Sequence, residues 1–291
     1  MKRITAFVAI ALMLCAPLLL AQDYPVTVTD DRGVEVTIDA PPSRIIVTGT
    51  PLYSQIIIDL GAVNRVVAVA DSPNNPHEVA SLESIGPSFS PNVEVIISLL
   101  PDLVLGAGDW GGEREKLEAA GITVLTTPLI TDIPGLLETI GTIGTTIGLQ
   151  QEARDLVCAI LEDIISIESS ALLTQRVKTA FLYPQATDAP PYAAGCGAIE
   201  NELIYRAGGE NVFSDVRGFP QIGFEAILER DPEVIFTDPS QIESISGNQL
   251  LQQVSAIRND RVHGIAASHV TSTKVADALR QMATLLRPEL E

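Results

Sequence analysis

Two short runs near the start of the chain, VTVTD and VEVTI, alternate apolar and polar residues on either side of Asp31-Arg32-Gly33. Over residues 23–43 that pattern predicts a β-hairpin, closed by Pro41-Pro42. RIIVTG (44–49) then loses the alternation and is rich in β-branched residues, as in a strand buried on both faces. A helical stretch over 52–60 ends at Gly61, and RVVAVA (65–70) reads as the next strand. DLVLGA (102–107), a helix over 113–120 and TVLTT (123–127) continue the series. Strand-helix-strand order predicts a parallel sheet with right-handed crossovers.

Apolar positions next take a helical period. Ile133, Leu136, Leu137, Ile140, Ile143 and Ile147 share one face of a helix over 133–147, where Gly141, Gly144 and Gly148 mark close packing or an end. Residues 150–172 carry Leu156, Ile160, Leu161, Ile164 and Ile165 as one stripe without Gly or Pro. Such a helix spans about 35 Å and would join two lobes stiffly. Beyond it, VKTAFLYP (177–184) reads as a strand, 199–207 and 222–229 as helices, and 233–237 as a strand. A helix over 249–256, a strand over 261–265 and a helix over 273–286 complete the chain.

One segment occurs twice. EVIISLLPDLVL (94–105) and EAILERDPEVIF (225–236) each open with a glutamate on a short amphipathic helix, which a proline and an acid end seven residues later. A match at constant offset, more than a hundred residues apart, points to two related lobes. A cleft between lobes is a common ligand position. The predicted architecture is α/β: two Rossmann-like lobes, 22–130 and 175–291, joined by a helical connector over 131–174.

Composition narrows the function. The chain is 46% hydrophobic and 19% charged, a globular profile, with a net charge of −19. That acidity argues against nucleic acid, which needs a basic face. Residues 1–21 read as an export signal, with Lys2 and Arg3 before the apolar run Ile4–Leu14. Cleavage, lipidation at Cys15 and retention as an anchor stay open, and no later apolar run is long enough to span a membrane. Cys158 and Cys196 are expected to be separate thiols, since nothing in their spacing demands a bridge.

RIIVTGTP, LGAVNRVVAVAD and SPNVEVIISLLPDLVLG resemble, in that order, the N-lobe of ABC-importer substrate-binding proteins of the helical-backbone class. AGCGAIENELIYRAGGENVFSDVRGFPQIGFEAILERDPEVIF resembles the C-lobe of its cobalamin and siderophore branch. The resemblance covers about residues 30–290. It implies a monomer that binds a cobalt corrinoid or ferric siderophore as cargo, cobalamin being favoured, with no resident cofactor. It also implies that Glu94 and Glu225 dock onto arginines of the permease dimer. Both lie in the first turn of a predicted helix, with Ser90 and Pro91 as cap and first residue of the first one.

The cleft is expected in loops after parallel strands: Thr50–Tyr53, Asp71–Asn75, Gly108–Gly112, Ala189–Gly197 and Ser214–Gln221. By resemblance, Pro51, Tyr192 and Phe219 take matching positions there, Trp110 lies near a fourth and Phe89 beside another, where Ser88 stands. Tyr53 joins them as the end of the first loop, and Arg217 would meet an anionic siderophore. Asn74 and Asn75 stand where relatives often carry an aromatic. His77 and His269 are candidate axial ligands to a chelated metal, but no bare-ion site is expected. GAGDWGG (106–112) lacks phosphate-loop spacing, and no GxSxG, HExxH or Walker motif occurs. The expectation is a binder rather than an enzyme. A chelatase-like enzyme or a ligand sensor on the same fold is the alternative.

Overall fold

The structure is a computed structural model and describes residues 23–88, 90–108, 112–171, 175–185 and 189–287. The expected export signal over residues 1–21, Cys15 within it, Phe89 and Trp110 lie outside these residues.

Strands β1 (Val26–Thr29) and β2 (Glu35–Ile38) form the expected antiparallel hairpin. Its turn is tied locally, because the Asp30 carboxylate accepts from the backbone N–H of Arg32 and of Val34, both at 2.9 Å. Asp31 accepts from Arg114 at 2.8 Å and so holds the hairpin to the N-lobe.

The N-lobe sheet contains β3 (Ile45–Val47), β4 (Val66–Asp71), β5 (Glu83–Pro87), β6 (Leu103–Ala107) and β7 (Val124–Thr127). They are parallel in the order β5-β4-β3-β6-β7. Helices α1 (Pro51–Asp59), α2 (Val93–Ser98) and α3 (Glu113–Ala119) connect them. Then follow α4 (Ile133–Ile147) and the long α5 (Gln150–Ala171). In the C-lobe, β10 (Gly209–Asn211), β8 (Val177–Tyr183), β11 (Val234–Thr237) and β12 (Val262–Gly264) run parallel in that order, with β9 (Tyr192–Ala193) antiparallel on β8. The C-lobe helices are α6 (Ile199–Arg206), α7 (Phe224–Arg230), α8 (Ile242–Ser246), α9 (Ser255–Arg258), α10 (Ala267–Val270) and α11 (Val275–Leu286).

The sheets share a plan. In each, the first strand pairs with the next main strand on one side and, after α2 or α7, with a later strand on the other. Their carboxyl ends therefore form a topological switch point, the usual ligand position in open α/β sheets. Apolar packing divides accordingly. Ile46, Ile85, Ile96 and Val104 belong to a core on one face of the N-lobe sheet, and Ala180, Leu182, Ile227 and Ile235 to one in the C-lobe. A third core joins the lobes through α4, α5 and α11.

Both readings of the α4 glycines occur. A Cβ on Gly144 would lie 2.2 Å from the Cβ of Ala153, so α4 and α5 meet closely there. Gly148 ends α4 with φ of +76°.

Strand β5, ESIGP, has no counterpart in the sequence pattern, and as an edge strand it tolerates Gly and Pro. Three expectations need correction. The helix expected over 249–256 is two pieces, a 3₁₀ turn over Gln249–Leu251 and α9. Asn248 starts the first, and the Asp231 carboxylate takes the Ser255 N–H at 2.7 Å to start the second. The cap of α2 is Asn92 rather than Ser90, its Oδ1 accepting from Glu94 and Val95 N–H at 3.0 and 3.2 Å. The helix expected over 222–229 starts only at Phe224, after the extended residue Gly223.

Candidate functional site

The repeated segments fold alike. Over 93–106 and 224–237, buried, half-buried and exposed positions coincide at every offset except Leu100 against Asp231. Ile96 and Ile227 are fully buried and anchor α2 and α7. Each helix then turns through a left-handed residue, Leu100 at φ +48° and Asp231 at φ +42°. The acid after each proline serves the fold locally. Asp102 accepts from the N–H of Ser43 and Arg44, and Glu233 from the N–H of Lys178. The glutamates have no such role. Glu94 and Glu225 are exposed and have no ion-pair partner among the described residues.

The carboxyl end of β8 carries an aromatic run. Phe236 lies 6.4 Å from Phe181, Phe181 stacks on Tyr183 at 5.0 Å, and Tyr183 meets Phe219 edge-on at 5.9 Å. The run leads from the core to Phe219, which is 47% exposed. Tyr192 is half-buried and pairs with Tyr183 across the β8–β9 ladder. Arg217 and Cys196 are exposed neighbours joined by a backbone bridge. The Tyr183 hydroxyl donates to the Glu200 carboxylate at 2.7 Å. Burial pushes the Glu200 carboxyl up, and burial together with Glu200 pushes the Tyr183 phenol up. The other Glu200 oxygen is buried and has no hydrogen-bond partner among the described residues.

Between the lobes lies a cavity of about 210 Å³. Thr50, Pro51, Leu52, Gln55, Asn74 and Pro76 line it from the N-lobe, and Ala267, Ser268, Thr271 and Ser272 from the C-lobe. No charged side chain is among them. Beside it the lobes are fastened: the Thr273 hydroxyl donates to Asp59, which also accepts from Gln55 at 2.9 Å.

The expected residues separate into groups. Pro51 reaches the cavity. Tyr192, Arg217 and Phe219 gather in the C-lobe loops near the end of β8. Tyr53 does not line the cleft: it is 1% exposed and its hydroxyl bonds the Thr127 hydroxyl at 2.7 Å. Helix α1 begins at Pro51 and turns Tyr53 into the core, where burial lifts its phenol to about 12. His77 points outward, 92% exposed and paired with Glu78 at 3.1 Å. His269 sits on α10 between cavity-lining residues but is not itself one. Among the described residues no three His, Cys, Asp or Glu gather into a metal-binding group. Cys158 and Cys196 are free and exposed, as expected.

Sequence reasoning misses Tyr183 and Gln55, and in the 267–272 segment it names His269 but none of the four residues that line the cavity. The available signal is positional. Tyr183 ends a strand at the switch point, and residues 267–272 follow the last one.

A family model described as periplasmic binding protein matches residues 46–268, from within β3 into α10. The chain belongs to the periplasmic binding protein family. Among relatives of this substrate-binding protein is a Bacillus subtilis protein named as an uncharacterized ABC transporter substrate-binding lipoprotein, 27% identical over 91% of this chain and 87% of its own length. A Halobacterium salinarum protein named as cobalamin-binding is 27% identical over 90% of this chain and 74% of its own length. A solved structure from Saccharomonospora viridis, titled as an ABC-type Fe3+-hydroxamate transport system, superposes with a TM-score of 0.76 at 28% identity, over 90% of this chain and 99% of that one. The solved structure shares the fold described above. No helix among the described residues is long and apolar enough to cross a membrane.

Proposed function

We propose that this protein captures a cobalt corrinoid outside the cytoplasm and delivers it to an ABC importer, docking through Glu94 and Glu225. The observation that carries the ligand reading is the uncharged interlobe cavity, lined by hydroxyls, amides and apolar groups. A corrinoid periphery is rich in neutral amides, which such groups satisfy without a counter-ion. The relative named as cobalamin-binding supports the same choice. A chelate of this size exceeds about 210 Å³, so it would extend from the cavity over the strand-end face. There Tyr183, Tyr192 and Phe219 offer apolar rings, and Glu200 fixes Tyr183 by its hydroxyl.

The lobes share one core through α4, α5 and α11, and α5 is a continuous helix. Closure on the ligand is therefore a small movement that breaks or makes contacts such as Thr273 to Asp59. The first 21 residues direct export. A ferric hydroxamate siderophore is the second reading, favoured by exposed Arg217 beside Phe219.

Calorimetric titration of the exported protein with cyanocobalamin, a ferric trihydroxamate and haem tests this. Saturable binding of cyanocobalamin, weakened about tenfold by Phe219→Ala, is the expected result. Binding of the ferric chelate alone, lost on Arg217→Ala, replaces the corrinoid by the siderophore. No response to any of the three overturns the cleft assignment.

A further inference from the structure

The fold accounts for most of what the two tips repeat. Ile96 and Ile227 anchor the helices, the left-handed residues turn the chain, and Asp102 and Glu233 bond the neighbouring strand. Two repeated features do nothing of the kind. One is the glutamate. The other lies three residues on, where Ile97 and Leu228 are 36% and 37% exposed. In a helix, residues i and i+3 share a face, so each aliphatic side chain stands beside its glutamate. The next position is polar on both tips, Ser98 and Glu229.

A single exposed leucine or isoleucine needs no explanation. Here the same aliphatic exposure returns at the same offset, although the two segments otherwise differ at most positions. More apolar surface adjoins it. Leu100 is 75% exposed at the end of α2, and Leu250 is 60% exposed on the 3₁₀ turn that packs against α7. Each tip thus presents a carboxylate with no ion-pair partner among the described residues, bordered by aliphatic groups.

We propose that Ile97 and Leu228 are docking residues in their own right, each seated in an apolar depression next to the cationic group that receives Glu94 or Glu225. This rests on the docking reading above. The partner is a pair of like membrane subunits, because two matching tips fit two matching sockets. An aliphatic rim keeps water from the ion pair and lowers the local dielectric, which strengthens the charge contact. The carboxylates steer and orient, while the aliphatic side chains slow dissociation.

The test measures binding of the exported protein to the purified importer of its own cell in lipid nanodiscs, at low and high salt. Thermal melting checks that each variant is folded. Ile97→Ser with Leu228→Ser is expected to weaken binding about tenfold per site, through faster dissociation and with an unchanged salt dependence. Glu94→Ala with Glu225→Ala is expected to slow association and flatten the salt dependence. Ile165→Ser is the control, since this side chain is 60% exposed but lies on α5. The inference fails if the double serine variant binds within about twofold of the unaltered protein while the double alanine variant does not bind. That outcome leaves glutamate docking standing. An equal loss for Ile165→Ser also overturns it. If the double alanine variant binds as the unaltered protein does, glutamate docking falls and the aliphatic contact falls with it.

Discussion

At the N-terminal tip the guanidinium of Arg44 donates to the carbonyls of Leu100 and Leu99, at 3.1 and 2.7 Å, and so braces the corner after α2. At the C-terminal tip the corner residue braces itself: Asp231 accepts from Ser255 N–H and hydroxyl at 2.7 and 2.8 Å. The caps differ as well, Asn92 on α2 and a bare Gly223 on α7. Yet both segments pass through the same left-handed turn, with the same burial sequence except at the corner residue itself. The short helix must reverse into a parallel strand in either lobe, and that requirement sets the backbone. The side chains that satisfy it are interchangeable. Features that persist without serving the turn, Glu94 with Glu225 and Ile97 with Leu228, are therefore the ones that point to function.

The largest effect is expected where the two tips act together. Replacing Glu94 and Glu225 by alanine should cut uptake by more than about a hundredfold while leaving ligand affinity unchanged. Parallel loss of affinity would remove the docking assignment. The single variants sharpen the comparison. Glu229 adds a second exposed acid one turn from Glu225, so Glu225→Ala is expected to be milder than Glu94→Ala.

Next come the anchors. Ile96→Ala and Ile227→Ala each remove a fully buried side chain, and each should cost about 2–5 kcal/mol in chemical denaturation. A large inequality between them would break the equivalence of the two tips.

The corners should respond in opposite ways. Leu100→Gly relieves a left-handed non-glycine residue and should stabilise by up to about 1 kcal/mol. Asp231→Gly gains the same relief but loses the Ser255 contacts, so the two variants should diverge by about 1 kcal/mol. The backbone hydrogen bond from Ser255 holds the Asp231 carboxyl below its ordinary range. Its stabilisation is present above the usual carboxylate pKa and disappears as pH falls through the lowered value. Acid sensitivity should thus weaken in the Asp231 variant and not in the Leu100 variant.

The smallest effect concerns Glu200. Its folded pKa is raised by burial, so the folded state holds a proton that the unfolded state releases. Stability should decline as pH rises from about 4.5, the ordinary value, through the raised one. Glu200→Gln removes that decline and keeps an acceptor for Tyr183. Unchanged pH dependence of the melting temperature in the variant would show that another group titrates.

Much of the fold is legible in the amino-acid pattern. β3, β6, β8 and β11 are short apolar runs, largely buried on both faces, and α5 is a long run without helix breakers. Strand β5 escapes because Gly86 and Pro87 read as a loop at a sheet edge. The split of 249–256 escapes because its cause, the Asp231 carboxylate, is remote in sequence. The candidate site is legible only in part. The glutamates stand out because they repeat. The resemblance singles out Pro51, Tyr192 and Phe219 within the loops given by the switch-point rule. Tyr53 does not obey it, because a position just after a strand does not disclose that the following helix turns the side chain inward.

The two-lobed α/β plan, the stiff linking helix and the paired tips follow from the chain's own pattern. Each depends on periodicity or repetition along the chain, and local backbone geometry imposes both. Which side chains meet is settled only by packing. The cavity needs Gln55 and Asn74 from one lobe with Ser268 and Thr271 from the other, and Glu200 matters only because folding buries it against Tyr183. Convergence of distant segments and loss of solvent arise when the lobes pack, so no local pattern in the chain encodes them.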